Sequence, residues 1–147
     1  MYKLLLDNSM SNLNGKWYNK LGSYMQLAVD DSGGITGIYN TGVGHASGDY
    51  TLSGRTDVIG QEVSGNVGFV VSWRNSHGNS DSVTAWSGQL QVIDGVPTIT
   101  TTWLLTDETS PGNNWKSTLV GKNIFLKNQI GSVVSDPIEQ LPHPKET

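Results

Sequence analysis

Cysteine is absent from the 147 residues, which excludes disulfide bonds and thiolate-ligated metal. No apolar run approaches the roughly 20 residues of a membrane-spanning helix. The Leu4-Leu5-Leu6 patch is also too short for the apolar stretch of a secretion signal. Charge is sparse, with nine Lys and Arg against thirteen Asp and Glu. There is no basic patch to follow a nucleic-acid backbone and no run of one sign. His45, His77 and His143 are scattered without ligand spacing, so no metal site is expected. The carboxylates fall mainly in turns (Asp30, Asp31, Asp94, Asp107, Glu108), where capping is their ordinary role. The strand faces offer no carboxylate pair for hydrolysis, and no Ser stands with a His and an acid in a nucleophile motif. Catalysis, a cofactor, a nucleic-acid partner and a membrane partner are all unsupported.

Helical periodicity of useful length is missing too, and β signals take its place. Eighteen glycines point to many tight turns. Short strands are expected at Lys16–Asn19, Tyr24–Val29, Ile35–Tyr39, Tyr50–Asp57, Gly65–Arg74 and Ser82–Ile93, then from Pro97 and after Trp115. Asp94-Gly95 is a hairpin signal between the sixth and seventh. Eight sequential strands with short connections suit an all-β, eight-stranded antiparallel up-and-down β-barrel, which leaves no exposed edge. At that size the interior holds one small ligand. A two-sheet sandwich is the competing architecture. The division expected is a polar, frayed segment at 1–13, one barrel domain at 14–127 and a proline-containing tail at 128–147.

Period two then gathers an unusual set of residues. Trp17 and Asn19 share a face, as do Tyr39 and Thr41, and Ser82, Thr84 and Trp86. Trp103 and Leu105 do the same in the Thr101–Phe125 stretch, which also carries Trp115 and Asn123. A buried hydroxyl without a partner costs ~1–3 kcal/mol. Hydroxyls aligned with indoles therefore mean either a wet outer surface or a polar ligand inside. The outward reading is ordinary for Ser and Thr, but it would expose Trp86 with them.

Six segments in order carry a family resemblance: Gly15–Ser23 (GKWYNKLGS), Leu52–Arg55 (LSGR), Val71–Asn75 (VSWRN), Thr84–Gln89 (TAWSGQ), Thr102–Thr106 (TWLLT) and Trp115–Gly121 (WKSTLVG). Together they resemble the avidin/streptavidin family of biotin-binding proteins, over roughly residues 14 to 127. The resemblance implies a homotetramer (dimer of dimers) with biotin as ligand in each barrel mouth, and secretion or an extracellular location.

It also implies roles. Asn19, Ser23 and Tyr39 match the donors around the ureido oxygen, a preorganised set like an oxyanion hole. Thr41 and Asn123 match the acceptors for the ureido N–H groups, and Thr84 the hydroxyl beside the ring sulfur. Ser82 and the backbone N–H of His45, in the Val43-Gly44-His45 loop, match the carboxylate contacts. Trp73, Trp86 and Trp103, with Leu21, Val43 and Leu105, match the apolar cage. Trp115 matches the tryptophan that covers a neighbour's ligand. Asn123 stands where streptavidin-like members have Asp and avidin-like members have Asn; a neutral amide lacks the charge that roughly doubles such a bond. His45 replaces an Asn whose backbone makes the contact. Lys122 is placed to meet its symmetry mate, which would cost assembly energy. Two other readings stay open: a lipocalin-like carrier of another small hydrophobe, since Gly15-Lys16-Trp17 fits that family's short G-x-W signature, and a structural barrel that has lost its ligand. The tail, if not mobile, would fold back into a barrel mouth.

Overall fold

The computed structural model describes residues 10–41, 48–74, 81–128 and 141–143. Eight strands follow one another: β1 Gly15–Tyr18, β2 Tyr24–Val29, β3 Gly34–Asn40, β4 Asp49–Thr56, β5 Gly65–Ser72, β6 Ser82–Ile93, β7 Val96–Asp107 and β8 Thr118–Leu126. Each pairs antiparallel with the next, and β8 returns to β1, so the sheet is a closed barrel rather than a sandwich. The seam is narrow, with Tyr18 opposite Leu126. Lys127 reinforces it by donating from Nζ to the Asn14 carbonyl, its ammonium 4.7 Å from the Trp17 ring centroid.

Turn chemistry sets the connections. Asp94 and Gly95 both have positive φ (51° and 79°), as the two-residue hairpin between β6 and β7 requires. In the β2–β3 turn, Asp30 Oδ1 accepts from Ser32 N, Ser32 Oγ and Gly34 N at 2.8–2.9 Å. Those bonds hold the Asp30 carboxyl below its ordinary range. Arg55, on β4, donates from Nη2 to Ser32 O at 2.7 Å and ties the same turn to the neighbouring strand.

Alternation along each strand sorts the two faces. On β6, Ser82, Thr84, Trp86 and Leu90 are buried while Val83, Ser87 and Gln89 are exposed. The inner set forms the core: Trp86 stacks on Tyr39 (5.1 Å) and on Phe69 (4.9 Å), Trp73 and Phe125 meet this stack edge-on, and Tyr50 in turn meets Trp73 edge-on. Offset and T-shaped contacts of this kind add ~0.5–1.5 kcal/mol each beyond area burial.

Up-and-down order puts the β2–β3, β4–β5 and β6–β7 turns at one end and the other four connections at the mouth. Met10–Leu13 close the lower end. Asn12 N donates to Gly60 O at 2.8 Å, and the Trp17 indole donates to Leu13 O at 2.8 Å with Leu13 fully buried. These four residues fall within the N-terminal segment delimited by sequence. Between β7 and β8 the chain adds a 3-10 turn, Pro111–Lys116.

Candidate functional site

The mouth is lined from the first residue after β1 onward. Asn19 is buried, and its Oδ1 accepts from Leu21 N (2.9 Å) and Ser23 N (3.0 Å), which shapes the β1–β2 turn. With its oxygen committed to the backbone, the amide must present its NH₂ inward, and Nδ2 donates to the Tyr39 hydroxyl at 3.2 Å. Ser23, also buried, donates to the Thr41 carbonyl at 3.1 Å. Asn19, Ser23, Tyr39 and Thr41 thus converge from β1, β2 and β3 at one end of the barrel.

Across the barrel, Asn123 on β8 is fully buried, and its Oδ1 accepts the Trp86 indole N–H at 3.2 Å. Its backbone carbonyl accepts from Thr101 Oγ1 at 2.9 Å. Thr84 is fully buried and accepts the Trp73 indole N–H at 2.7 Å. Each pair fixes an indole plane through its only polar atom, so the cage is held by directed bonds as well as by packing.

Trp103 is positioned differently. Its ring lies over Gly121, the residue opposite it on β8; a Cβ there would stand 2.2 Å from the ring. Among the described residues the buried Trp103 Nε1 and Tyr50 hydroxyl have no hydrogen-bond partner. A buried donor left so costs ~1–3 kcal/mol, and a ligand acceptor removes that cost.

Of the site residues expected from sequence, Asn19, Ser23, Tyr39, Thr41, Trp73, Ser82, Thr84, Trp86, Trp103, Leu105 and Asn123 are all buried on the inner face. Leu21 is half-buried at the rim. Val43, Gly44 and His45 lie outside the described residues. Trp115 stands apart on the 3-10 turn, 82 % exposed, with Lys116 Nζ 5.8 Å from its ring. Tyr50, Phe125 and Gly121 were not anticipated. Tyr50 shares its strand parity with Leu52 and was legible on that ground alone.

Leu141, Pro142 and His143 also reach this site. The Pro142 carbonyl accepts from Thr84 Oγ1, and the buried His143 ring stands 5.7 Å from Trp73.

Among the described residues, no Asp, Glu, Lys or Arg is buried. The buried face of the described residues is therefore apolar with a set of neutral donors and acceptors, framed by four tryptophans (Trp17, Trp73, Trp86 and Trp103). Apolar walls with a few placed hydrogen-bonding groups are the chemistry of a small-molecule binding site. The avidin family model matches residues 7–128. Avidin of Gallus gallus is 36 % identical over 122 residues, covering 79 % of this chain and 78 % of that protein. Avidin-related protein 4/5 of the same organism is 36 % identical over 120 residues, covering 79 % and 77 %. Afifavidin of Afifella pfennigii is 30 % identical over 93 residues, covering 63 % and 57 %. The chain belongs to the avidin family, a family of biotin binders and not of enzymes.

Proposed function

We propose that this protein binds biotin tightly and non-covalently in the barrel mouth and so sequesters it. The observation that carries the reading is the inward Asn19 amide, its oxygen spent on the turn and its NH₂ bonded to Tyr39. With Ser23 it forms a neutral donor cluster suited to one strongly polarised carbonyl oxygen, that of the ureido group. Thr41 and Asn123 accept the two ureido N–H groups. Thr84 stands beside the ring sulfur, and Ser82 with the His45 backbone N–H holds the carboxylate. Trp73, Trp86 and Trp103, with Leu21, Val43 and Leu105, enclose the apolar parts.

The same reading includes assembly as a homotetramer outside the cell. Trp115 is 82 % exposed, and the outer face of β6–β8 carries Val83, Leu104 and Val120, each 45–61 % exposed. An exposed indole beside an apolar face suits a partner that covers both, and Trp115 then lids a neighbour's ligand.

Titrating the protein with biotin while following tryptophan emission and thermal midpoint tests the binding. A ligand at a thousandfold excess over its Kd adds about 4 kcal/mol to the folded state. For a chain of this length the midpoint should rise on the order of 10 °C. No change in either signal at saturating biotin would sink the reading.

A further inference from the structure

We propose that the barrel mouth is also a peptide site, and that its occupant is the chain's own Leu141-Pro142-His143 segment, which competes with biotin for Trp73 and Thr84. The inference rests on the biotin reading for the identity of the competitor, and on geometry alone for the peptide contact.

Thr84 has one hydroxyl proton. Its oxygen accepts from Trp73 Nε1, and the proton goes to the Pro142 carbonyl. Any ligand that uses Thr84 as a donor must first displace that carbonyl. His143 is 3 % exposed and lies edge-on to the Trp73 ring, so it takes apolar surface that the cage would give to a ligand. Pro142 is buried and Leu141 half-buried. Three consecutive residues are thus seated by one directed bond and one aromatic contact, both on residues of the cage.

Chain length permits the return. β8 ends at Leu126, at the closed end, and its nine residues span about 30 Å. Twelve residues separate Asn128 from Leu141, and such a connection reaches roughly 40 Å when extended. Sequence favours the docked form as well. Leu141 and His143 each precede a proline, Pro142 and Pro144, which confines both to extended backbone and lowers the entropy lost on docking.

A short connection gives its segment an effective concentration on the order of millimolar. A segment with an intrinsic Kd of ~0.1 mM would then occupy the mouth about nine-tenths of the time, and slow biotin capture about tenfold. The occupant is displaced rather than consumed, so saturating biotin still fills every site.

The experiment compares the full chain with its H143E variant, in which a carboxylate would have to be buried against Trp73. Both are checked for the same barrel melting profile. Acrylamide quenching of tryptophan should rise in the variant, and biotin association should quicken about tenfold. A synthetic peptide of residues 138–147, added to the variant, should restore the lower quenching and slow capture again. Pro142→Gly supplies a second route, since it loosens the segment without adding charge. Unchanged quenching and association in both variants, with no effect of the peptide, overturn the proposal. The quenching and peptide arms need no biotin. Were those arms positive while no protein bound biotin, the peptide site would stand and the biotin reading would fall; equal, rapid biotin capture by all forms gives the reverse.

Discussion

The indole nitrogen of Trp86 stands 3.2 Å from the side-chain oxygen of Asn123, two residues 37 apart in sequence and on strands separated by β7. The bond spans the barrel interior and orients the ring that Tyr39 and Phe69 sandwich. It also leaves Asn123 fixed as an acceptor, because its NH₂ cannot rotate into the oxygen's place without losing the indole.

Replacing Asn123 with Leu should therefore act twice. The Trp86 N–H would be buried without a partner, at ~1–3 kcal/mol of barrel stability, and biotin would lose a ureido acceptor. Thermal denaturation of the biotin-free protein measures the first effect, and calorimetric titration the second. Asn123→Asp should instead tighten biotin near neutral pH, since a charged acceptor roughly doubles the bond. A variant Asp that weakened biotin would show that desolvating the charge outweighs the stronger bond.

Trp115 makes almost no contact with its own barrel, being 82 % exposed. Trp115→Ala should leave the stability of the isolated barrel unchanged while accelerating biotin release. Interface tryptophans commonly contribute ~2 kcal/mol or more, so the off-rate should rise on the order of 30-fold. Stopped-flow or competition measurements read the rate directly. An unchanged off-rate would mean that the subunits do not share ligands.

Most of the fold was legible because period two and turn chemistry are local. β2 and β6 occupy the expected spans Tyr24–Val29 and Ser82–Ile93, and Asp94-Gly95 turns as its residue types demand. The burial of Ser82 and Thr84 was readable only because Trp86 shares their side, since hydroxyls alone give no direction, and the inward place of Asn123 came from the family resemblance. What sequence did not give was contact across distance. The pairing of Trp86 with Asn123, the fit of Trp103 over Gly121 and the seating of His143 against Trp73 depend on register between strands and on the path of a segment with no period of its own. The 3-10 turn at Pro111–Lys116 was hidden for a related reason. Six residues containing Pro, Gly and two Asn look like any loop, and one turn of helix is too short to show periodicity.

Gly121 supplies a test of the cage that touches no ligand-bonding atom. A methyl added there would lie 2.2 Å from the Trp103 ring. Trp103 must then leave its rotamer. Gly121→Ala should cost ~1–3 kcal/mol as an overpacked core, with weaker biotin binding from the displaced indole. Denaturant unfolding and a biotin titration on the same preparation measure both. Stability and affinity equal to the parent would show that the ring has room to slide.

The acid limit of the fold should be set in part by Asp30 and Asp57, both exposed and both held below the ordinary value of 3.8 by hydrogen bonds in the folded state. Asp57 accepts from Asn66 N at 2.6 Å and Asn66 Nδ2 at 2.8 Å, pinning the approach to β5 as Asp30 pins the β2–β3 turn. Because folding lowers these pKa values, the unfolded chain binds more protons through this range. The stabilisation is thus complete above 3.8 and is lost as pH falls through the lower folded-state values. A D30N/D57N double variant keeps acceptor oxygens but cannot titrate. Its thermal midpoint should lie below the parent's at pH ~6, and the gap should close toward pH ~2 as the parent's carboxylates take up protons. Midpoints measured at intervals across that window decide it. A gap of constant size would place the acid sensitivity elsewhere in the barrel.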